Sequence, residues 1–204
     1  MTTIPFVIAA LLVIGLAATP GLQSAMAKSN FVICANDDIS AQVINSGVVV
    51  PAGTQCAIDE STINGNISVG NGGSLSLTDS TVVGNVTLNG AAGFGLTDST
   101  IFGNLTLNGV SSAAAGGTNT ISGDTIVNGG AFAITGTLIG KLTATDALIA
   151  MVNTHVVGKF TFRTNTLASL SQVVVDGNAL CKDLDPASSF IDVTYLGKVK
   201  GCPI

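Results

Sequence analysis

A short motif recurs along this chain every 17 to 20 residues: an apolar residue, any residue, glycine, and then asparagine or a similar polar residue. A unit of this length cannot bury a hydrophobic face alone, so neighbouring copies must stack and share one elongated core. The spacing therefore predicts a solenoid. The glycines of the motif are Gly65, Gly84, Gly103, Gly123, Gly140, Gly158 and Gly177.

Apolar residues alternate with other residues around each glycine. With the glycine as position zero and a first copy centred on Ser46, the chain holds eight coils. Two places before the glycine stand Ile44, Ile63, Val82, Ile101, Ile121, Leu138, Val156 and Val175. Two places after it stand Val48, Ile67, Val86, Leu105, Thr125, Leu142, Phe160 and Ala179, and four places after it stand Val50, Val69, Leu88, Leu107, Val127, Ala144, Phe162 and Cys181. Because strand side chains alternate between faces, we expect these positions to point into one core.

A second alternating run follows in several copies and predicts two or three short strands per coil. It comprises Leu75 and Leu77, Phe94 and Leu96, and Phe132 and Ile134. Helix is disfavoured by the glycine and β-branched content and by the lack of a 3.6-residue period. We therefore expect an all-β fold, a single-stranded right-handed parallel β-helix of about eight coils, with the hand taken from the usual crossover preference.

The glycine motif also predicts the chemistry of one turn. Glycine followed by Asn66, Asn85 or Asn104 supplies residues that accept left-handed backbone angles. Asparagines stacked in this way form side-chain ladders between coils. We expect both features at this turn.

Four cysteines fall into two local pairs. Cys34 and Cys56 are 22 residues apart, and Cys181 and Cys202 are 21 apart, which is close to one coil in each case. Positions one coil apart lie roughly 5 Å from each other, within the range that a disulfide spans. The sequence predicts two disulfides, one near each end. Metal binding is the competing reading, but there is no Cys-x-x-Cys pair and His155 stands elsewhere, so we expect neither a metal nor a cofactor.

The first 27 residues have the pattern of a secretory signal peptide. They hold no Asp, Glu, Lys or Arg, include the apolar run from Phe6 to Ala18, and end in Ala25-Met26-Ala27. An uncleaved anchor is the weaker reading because a spanning helix needs about 20 apolar residues. We expect a signal peptide over 1–27, an N-terminal cap over 28–43, the solenoid over 44–181 and a C-terminal cap over 182–204.

Charge is scarce and unevenly placed. Only 9% of the residues are charged, none between Lys28 and Lys141 is basic, and six basic residues follow from Lys141 onward. The isoelectric point is near 4.4, and no basic stripe alternates with aromatic residues. The sequence therefore gives no support to nucleic-acid binding.

One stretch of the repeat resembles known proteins. The run from Ser61 to Val69, echoed from Ser80 to Leu88, is similar to secreted microbial right-handed β-helix proteins of largely unassigned function. It also resembles the bactofilins, which are polymer-forming cytoskeletal β-helices. The likeness covers roughly residues 44 to 181 and implies architecture more than activity. The leader and the end cysteines depart from what a cytosolic bactofilin would have.

Few residues offer chemistry. Glu60, Asp79 and Asp98 are 19 apart and form a column that would suit a cation, although Asp-Ser-Thr at a turn favours an Asx cap. His155 has Lys159 and Arg163 nearby in the sequence, and three basic residues together would suit a small basic site. A lone histidine beside lysines in a turn is ordinarily a solvated side chain, and we interpret His155 in this way.

Two further patterns recur with the coil. Asn66, Asn85 and Asn104 each begin a glycosylation sequon, although turn chemistry explains them better. A column of outward hydroxyls would suit an ice-binding face, although ordinary strand preference accounts for it. Its members are Thr87, Thr106, Thr143 and Thr161.

The sequence favours a non-catalytic, secreted or cell-surface structural or adhesive protein. Its expected partners are cell-envelope or extracellular polysaccharide, or further copies of itself. The alternative is a polysaccharide-binding or polysaccharide-degrading β-helix, because such enzymes share this architecture. A self-assembling filament is a third possibility, since solenoid ends are open strand edges.

Overall fold

A computed structural model describes residues 31–164 and 166–204, and the predicted signal peptide lies outside them. In the described residues the secondary structure is entirely β and contains no helix. The strands are β1 (Phe31–Ile33), β2 (Asp37–Ser40), β3 (Val43–Ile44), β4 (Gly47–Val50), β5 (Gln55–Asp59), β6 (Thr62–Ile63), β7 (Ile67–Val69), β8 (Ser74–Thr78), β9 (Thr81–Val82), β10 (Val86–Asn89), β11 (Gly93–Thr97), β12 (Thr100–Ile101), β13 (Leu105–Gly116), β14 (Asn119–Thr135), β15 (Thr137–Thr145), β16 (Leu148–Val156), β17 (Phe160–Arg163), β18 (Leu167–Val175), β19 (Ala179–Lys182), β20 (Ser189–Tyr195) and β21 (Val199–Lys200).

Every strand pairs in parallel with the strand one coil away, which confirms the parallel β-solenoid. Each coil contributes to three faces. The first face consists of β1, β4, β7, β10, residues 105–108, 125–128 and 142–145, β17, β19 and β21. The second consists of β2, β5, β8, β11 and residues 112–116, 131–135, 148–152, 167–171 and 189–191. The third consists of β3, β6, β9, β12 and residues 119–121, 137–139, 154–156, 173–175 and 193–195.

The predicted inward positions form the core. Ile63, Val82 and Ile101 stack in register and are fully buried, and all residues two and four places after the glycine are buried as well. Ile44, in the first coil, is only partly buried against this core, and the prediction for Leu138 is wrong. Leu138 is 39% exposed, and Ile139 pairs with Ile121 in its place. The reason is that Ile139 directly precedes Gly140, whereas in the other coils one residue separates the inward residue from the glycine.

The predicted left-handed angles are wrong for the glycine–asparagine turn. Gly65 and Asn66 have ordinary backbone angles, as do their counterparts in the other coils. Glycine is needed there because backbone packs on backbone: a Cβ on Gly65 would lie 2.5 Å from the backbone of Ser46. Left-handed residues occupy the other two corners instead, for example Gly72 between the first and second faces and Asp79 between the second and third.

The predicted asparagine ladder is confirmed. Asn66 Oδ1 accepts the backbone N–H of Asn85, and Asn85 Oδ1 accepts that of Asn104, both at 2.8 Å. A second ladder is buried at the corner between the second and third faces. There Ser80 Oγ accepts the N–H of Ser61 at 3.1 Å, and Ser99 Oγ accepts the N–H of Ser80 at 3.0 Å. Each ladder therefore ties a coil to the next through side-chain oxygens.

Both predicted disulfides are present. Cys34 bonds to Cys56 with their Cα atoms 5.6 Å apart, and Cys181 bonds to Cys202 with theirs 4.8 Å apart. The two end segments add strands that the glycine motif does not show: β1 and β2 near the start, and β20 and β21 near the end. The solenoid accordingly has about nine turns rather than eight.

Candidate functional site

The predicted acidic column exists, at the corner between the second and third faces. Glu60, Asp79 and Asp98 are exposed and adopt left-handed angles, with φ of 46° to 47°. Asp98 Oδ1 accepts the backbone N–H of Thr118, in the next coil, at 2.7 Å. This carboxylate therefore caps the turn of the neighbouring coil, whereas the predicted Asx cap would bond the backbone of its own turn.

His155 is separated from the two basic residues that the sequence places near it. It lies on the outside of the third face, where its Nε2 is 2.9 Å from Asp176 Oδ2 without the geometry of a directed hydrogen bond. Lys159 and Arg163 lie on the first face, around the corner. The three residues do not converge on a common site.

The hydroxyl column lies on the outer side of the first face, as expected, between neighbours that pair in register. Thr87 pairs with Thr106, and Thr143 pairs with Thr161. Thr161 differs from the others because it is only 2% exposed and its Oγ1 has no hydrogen-bond partner among the described residues. A second hydroxyl column, which sequence reasoning missed, runs along the third face. It consists of Thr62, Thr81, Thr100 and Thr120.

A trough crosses the N-terminal part of the second face. It encloses about 460 Å³. Its floor is made of small side chains, since Ala57, Ser76 and Gly95 follow one another in the middle outward column of β5, β8 and β11. The periodic motif gives no sign of this trough, because it forms where outward residues are small rather than where any residue type is concentrated.

Polar groups close the N-terminal end of the trough. Asp38 lies in the same column, next to Ala57. Asn36 adopts a left-handed angle, and its Oδ1 accepts the backbone N–H of Gln55 at 3.0 Å. Carboxylate, amide and hydroxyl groups above a floor of small residues suit a ligand rich in hydroxyl groups.

The pKa of Tyr195 is clearly displaced. The residue pairs with Val175 on the third face in the last coil, and its hydroxyl is buried without a hydrogen-bond partner among the described residues. Burial disfavours the phenolate and raises the pKa of Tyr195 from 10.0 to about 12. This residue belongs to the end of the core.

Two other kinds of site are not found in the part of the chain that the structure describes. No group of three or more His, Cys, Asp and Glu side chains is arranged to hold a metal ion there. Within the same residues, no helix is long and apolar enough to cross a membrane.

The three faces thus carry rows of hydroxyl, amide and small side chains among exposed apolar and basic residues, and the second face carries the trough. Comparison with known proteins adds no assignment: no protein-family model, no curated protein and no solved structure matches the chain.

Proposed function

We propose that this chain is a non-catalytic structural or adhesive protein of the cell exterior. The proposal depends on one observation, which is that the outer faces present the same side chains at regular intervals. The same residue type stands at the same place on successive coils, as Thr62, Thr81 and Thr100 do on the third face. Parallel strands repeat at about 4.8 Å, so such a surface presents evenly spaced hydrogen-bonding groups. A polymer with a regular repeat is a fitting partner for it.

The ends of the solenoid support a role outside the cytosol. Each end carries a disulfide, and disulfides persist in oxidising compartments. Together with the predicted signal peptide over 1–27, they favour export. The stacked backbone ladders and the two cross-links make the coil array a rigid support for its outer faces.

Fractionation and turnover assays test this proposal. The full chain, expressed in a host that exports it, should co-sediment with isolated cell-envelope material. Incubated with a panel of acidic and neutral polysaccharides, with and without Ca²⁺, it should generate no new chain ends. Turnover that is abolished by Asp79→Asn or Asp98→Asn would contradict the proposal, and so would a protein that stays in the supernatant at every ionic strength.

The trough favours a second candidate, the binding of a polysaccharide on the second face. Ser76 lies in its floor and is exposed, so Ser76→Trp would fill it. We expect this variant to lose affinity for a neutral polysaccharide that the wild type binds, as measured by isothermal titration calorimetry. Ser169→Trp, in the same outward column of the second face but outside the trough, is the matched control. Equal affinities of both variants and the wild type would rule out the trough as the binding site.

A further inference from the structure

The basic residues are concentrated on one part of one face. All six that the structure describes lie on the outer side of the first face, within its last four coils, and all are exposed. We call them the basic patch: Lys141, Lys159, Arg163, Lys182, Lys198 and Lys200. With strands about 4.8 Å apart and residues about 3.3 Å apart along a strand, the patch measures roughly 14 Å by 13 Å.

Most of this charge is not neutralised. Lys141 lies 3.1 Å from Asp124, and Lys182 lies 3.9 Å from Asp183. The other four basic side chains have no ion pair with any described residue. Asp146, whose backbone N–H donates to the carbonyl oxygen of Thr164, adds a carboxylate at the edge of the face. A chain with a formal net charge of −5 therefore carries a local surface of positive charge.

A buried hydroxyl lies at the centre of the patch. Thr161 stands between Lys159 and Arg163 on the outward side of β17, while Phe160 and Phe162 point into the core. Its Oγ1 is buried and lacks a hydrogen-bond partner within the described chain. An unpaired buried hydroxyl is unfavourable, and an oxygen atom of a ligand seated between the two cations would satisfy it.

The middle coils of the first face extend the same surface with amides and hydroxyls, whereas Phe31, Ile33 and Val49 face outward in its first two strands. Asn108 Nδ2 donates to Asn89 Oδ1 at 2.8 Å, and Asn128 Nδ2 donates to Asn108 Oδ1 at 2.9 Å. Each amide has two N–H donors and an oxygen with two lone pairs, so these ladders leave further hydrogen-bonding capacity facing solvent. From the middle coils towards the C-terminal end, the face thus passes from neutral polar groups to cations.

We infer that the first face binds a linear acidic polysaccharide, with its carboxylates on the basic patch and its hydroxyls on the asparagine and threonine rows. This inference rests on the proposed adhesive role and names the partner for one face. Nucleic acid fits less well, because the described outward positions in the four coils that hold the basic patch carry no aromatic residue on which bases could stack, and the exposed Phe31 lies at the opposite end of the face. A membrane surface fits less well, because threonines rather than large apolar residues lie between most of the cations.

Polygalacturonate is a suitable probe, tested by calorimetry with the full exported chain. We expect binding that weakens as salt is raised, because exposed charges are screened. Lys159→Gln/Lys198→Gln should weaken it about tenfold at low salt. Val83→Glu/Phe102→Glu changes the net charge by the same amount at exposed positions away from the patch and should leave the affinity within about twofold.

Two more variants test the central hydroxyl. Thr161→Val should weaken binding without changing the charge, whereas Thr118→Val, at an exposed corner between the second and third faces, should not. If the Thr161→Val variant binds polygalacturonate with the same affinity as the wild type, the polymer does not lie over β17. If the Lys159→Gln/Lys198→Gln variant binds polygalacturonate as the wild type does, the basic patch is not the site.

Further measurements distinguish a polysaccharide from the other possible partners, which are nucleic acid, a membrane surface and a second copy of the chain. Equal or tighter binding of a DNA duplex or of anionic lipid vesicles, lost in the same lysine variant, would overturn the choice of polysaccharide. Salt-sensitive self-association in light scattering, lost in that variant, would instead identify a second copy as the occupant. The envelope sedimentation described above is a separate measurement, so a chain that sediments with envelope but ignores polygalacturonate refutes this inference and leaves the adhesive role intact.

Discussion

A Cβ atom on Gly84 would lie 2.5 Å from the carbonyl oxygen of Gly65, one coil away. The obstacle is backbone held in a ladder, which cannot move aside as a flexible side chain can. Gly84→Ala should therefore lower the free energy of unfolding by about 3 kcal/mol, at the upper end of overpacking effects. Chemical denaturation followed by circular dichroism measures the change.

The control for this variant is Gly116→Ala. Gly116 has no atom within 4 Å of its Cβ position and no left-handed angle. Alanine there should be neutral or stabilise by up to about 1 kcal/mol, because it reduces the freedom of the unfolded chain. Equal effects of the two variants would show that close backbone contact is not why the motif requires glycine.

Thr125 is the polar exception among the inward positions, and it is fully buried with no hydrogen-bond partner for Oγ1 among the described residues. Thr125→Val should stabilise the protein by about 1 kcal/mol, because it removes an unpaired hydroxyl while keeping a branched side chain. Thermal unfolding would show the gain as a higher Tm.

Thr137 provides the matched comparison. It is 2% exposed, and its Oγ1 donates to the carbonyl oxygen of Thr135 at 3.0 Å. Thr137→Val should destabilise by about 1 kcal/mol because that bond is lost. A destabilised Thr125→Val would contradict the view that its hydroxyl is unpaired.

Tyr195 makes the free energy of unfolding depend on pH in the alkaline range. Below pH 10.0 it is neutral in both states; between there and its folded pKa of about 12 the unfolded chain ionises while the folded chain keeps the proton. The stability contributed by the neutral phenol is therefore lost as the pH rises through this window. Tyr195→Phe should lose less stability over the same range.

The chain contains one tyrosine and no tryptophan, so the ultraviolet absorbance band of the phenolate reports this residue alone. The phenolate band should appear with a midpoint near pH 12 in the folded protein. In denaturant the midpoint should return to the ordinary value. A midpoint at the ordinary value in both states would show that the hydroxyl is not buried.

Each disulfide should stabilise mainly the coils at its own end of the solenoid. Cys34→Ala/Cys56→Ala should lower stability by about 3 kcal/mol, as expected for a closed loop of this length. Because each coil contacts mainly its neighbours, amide exchange should rise first in β1 to β5 and leave β12 protected. Cys181→Ala/Cys202→Ala should show the mirror pattern at the other end, and a uniform rise in exchange would contradict local action.

The fold could be predicted from the sequence because one physical constraint repeats. The alternation around each glycine gave the inward residues, and the cysteine spacing gave both bridges. Two errors arose where the glycine was used as a fixed marker. At Gly140 the turn is one residue shorter, so Ile139 rather than Leu138 is buried.

The second error concerns what glycine does. Its motif suggested left-handed angles, whereas the structure shows close backbone packing at that corner and left-handed residues at the other two. Sequence spacing records that glycine is required but not which of these two reasons applies. The outer surfaces were harder still to predict: grouping Lys159, Arg163 and Lys182 on one face requires knowing which positions pair across coils.

The side-chain ladders have an evolutionary consequence. Asn66 bonds to Asn85 and Ser80 to Ser99 across the same boundary between coils, at two different corners. Inserting one or two residues between them would break one ladder or the other, whereas adding a whole coil would rebuild both. Genes for such chains are therefore expected to grow or shrink by duplicating or deleting single coils, which makes the length of the molecule a heritable quantity that changes in discrete steps.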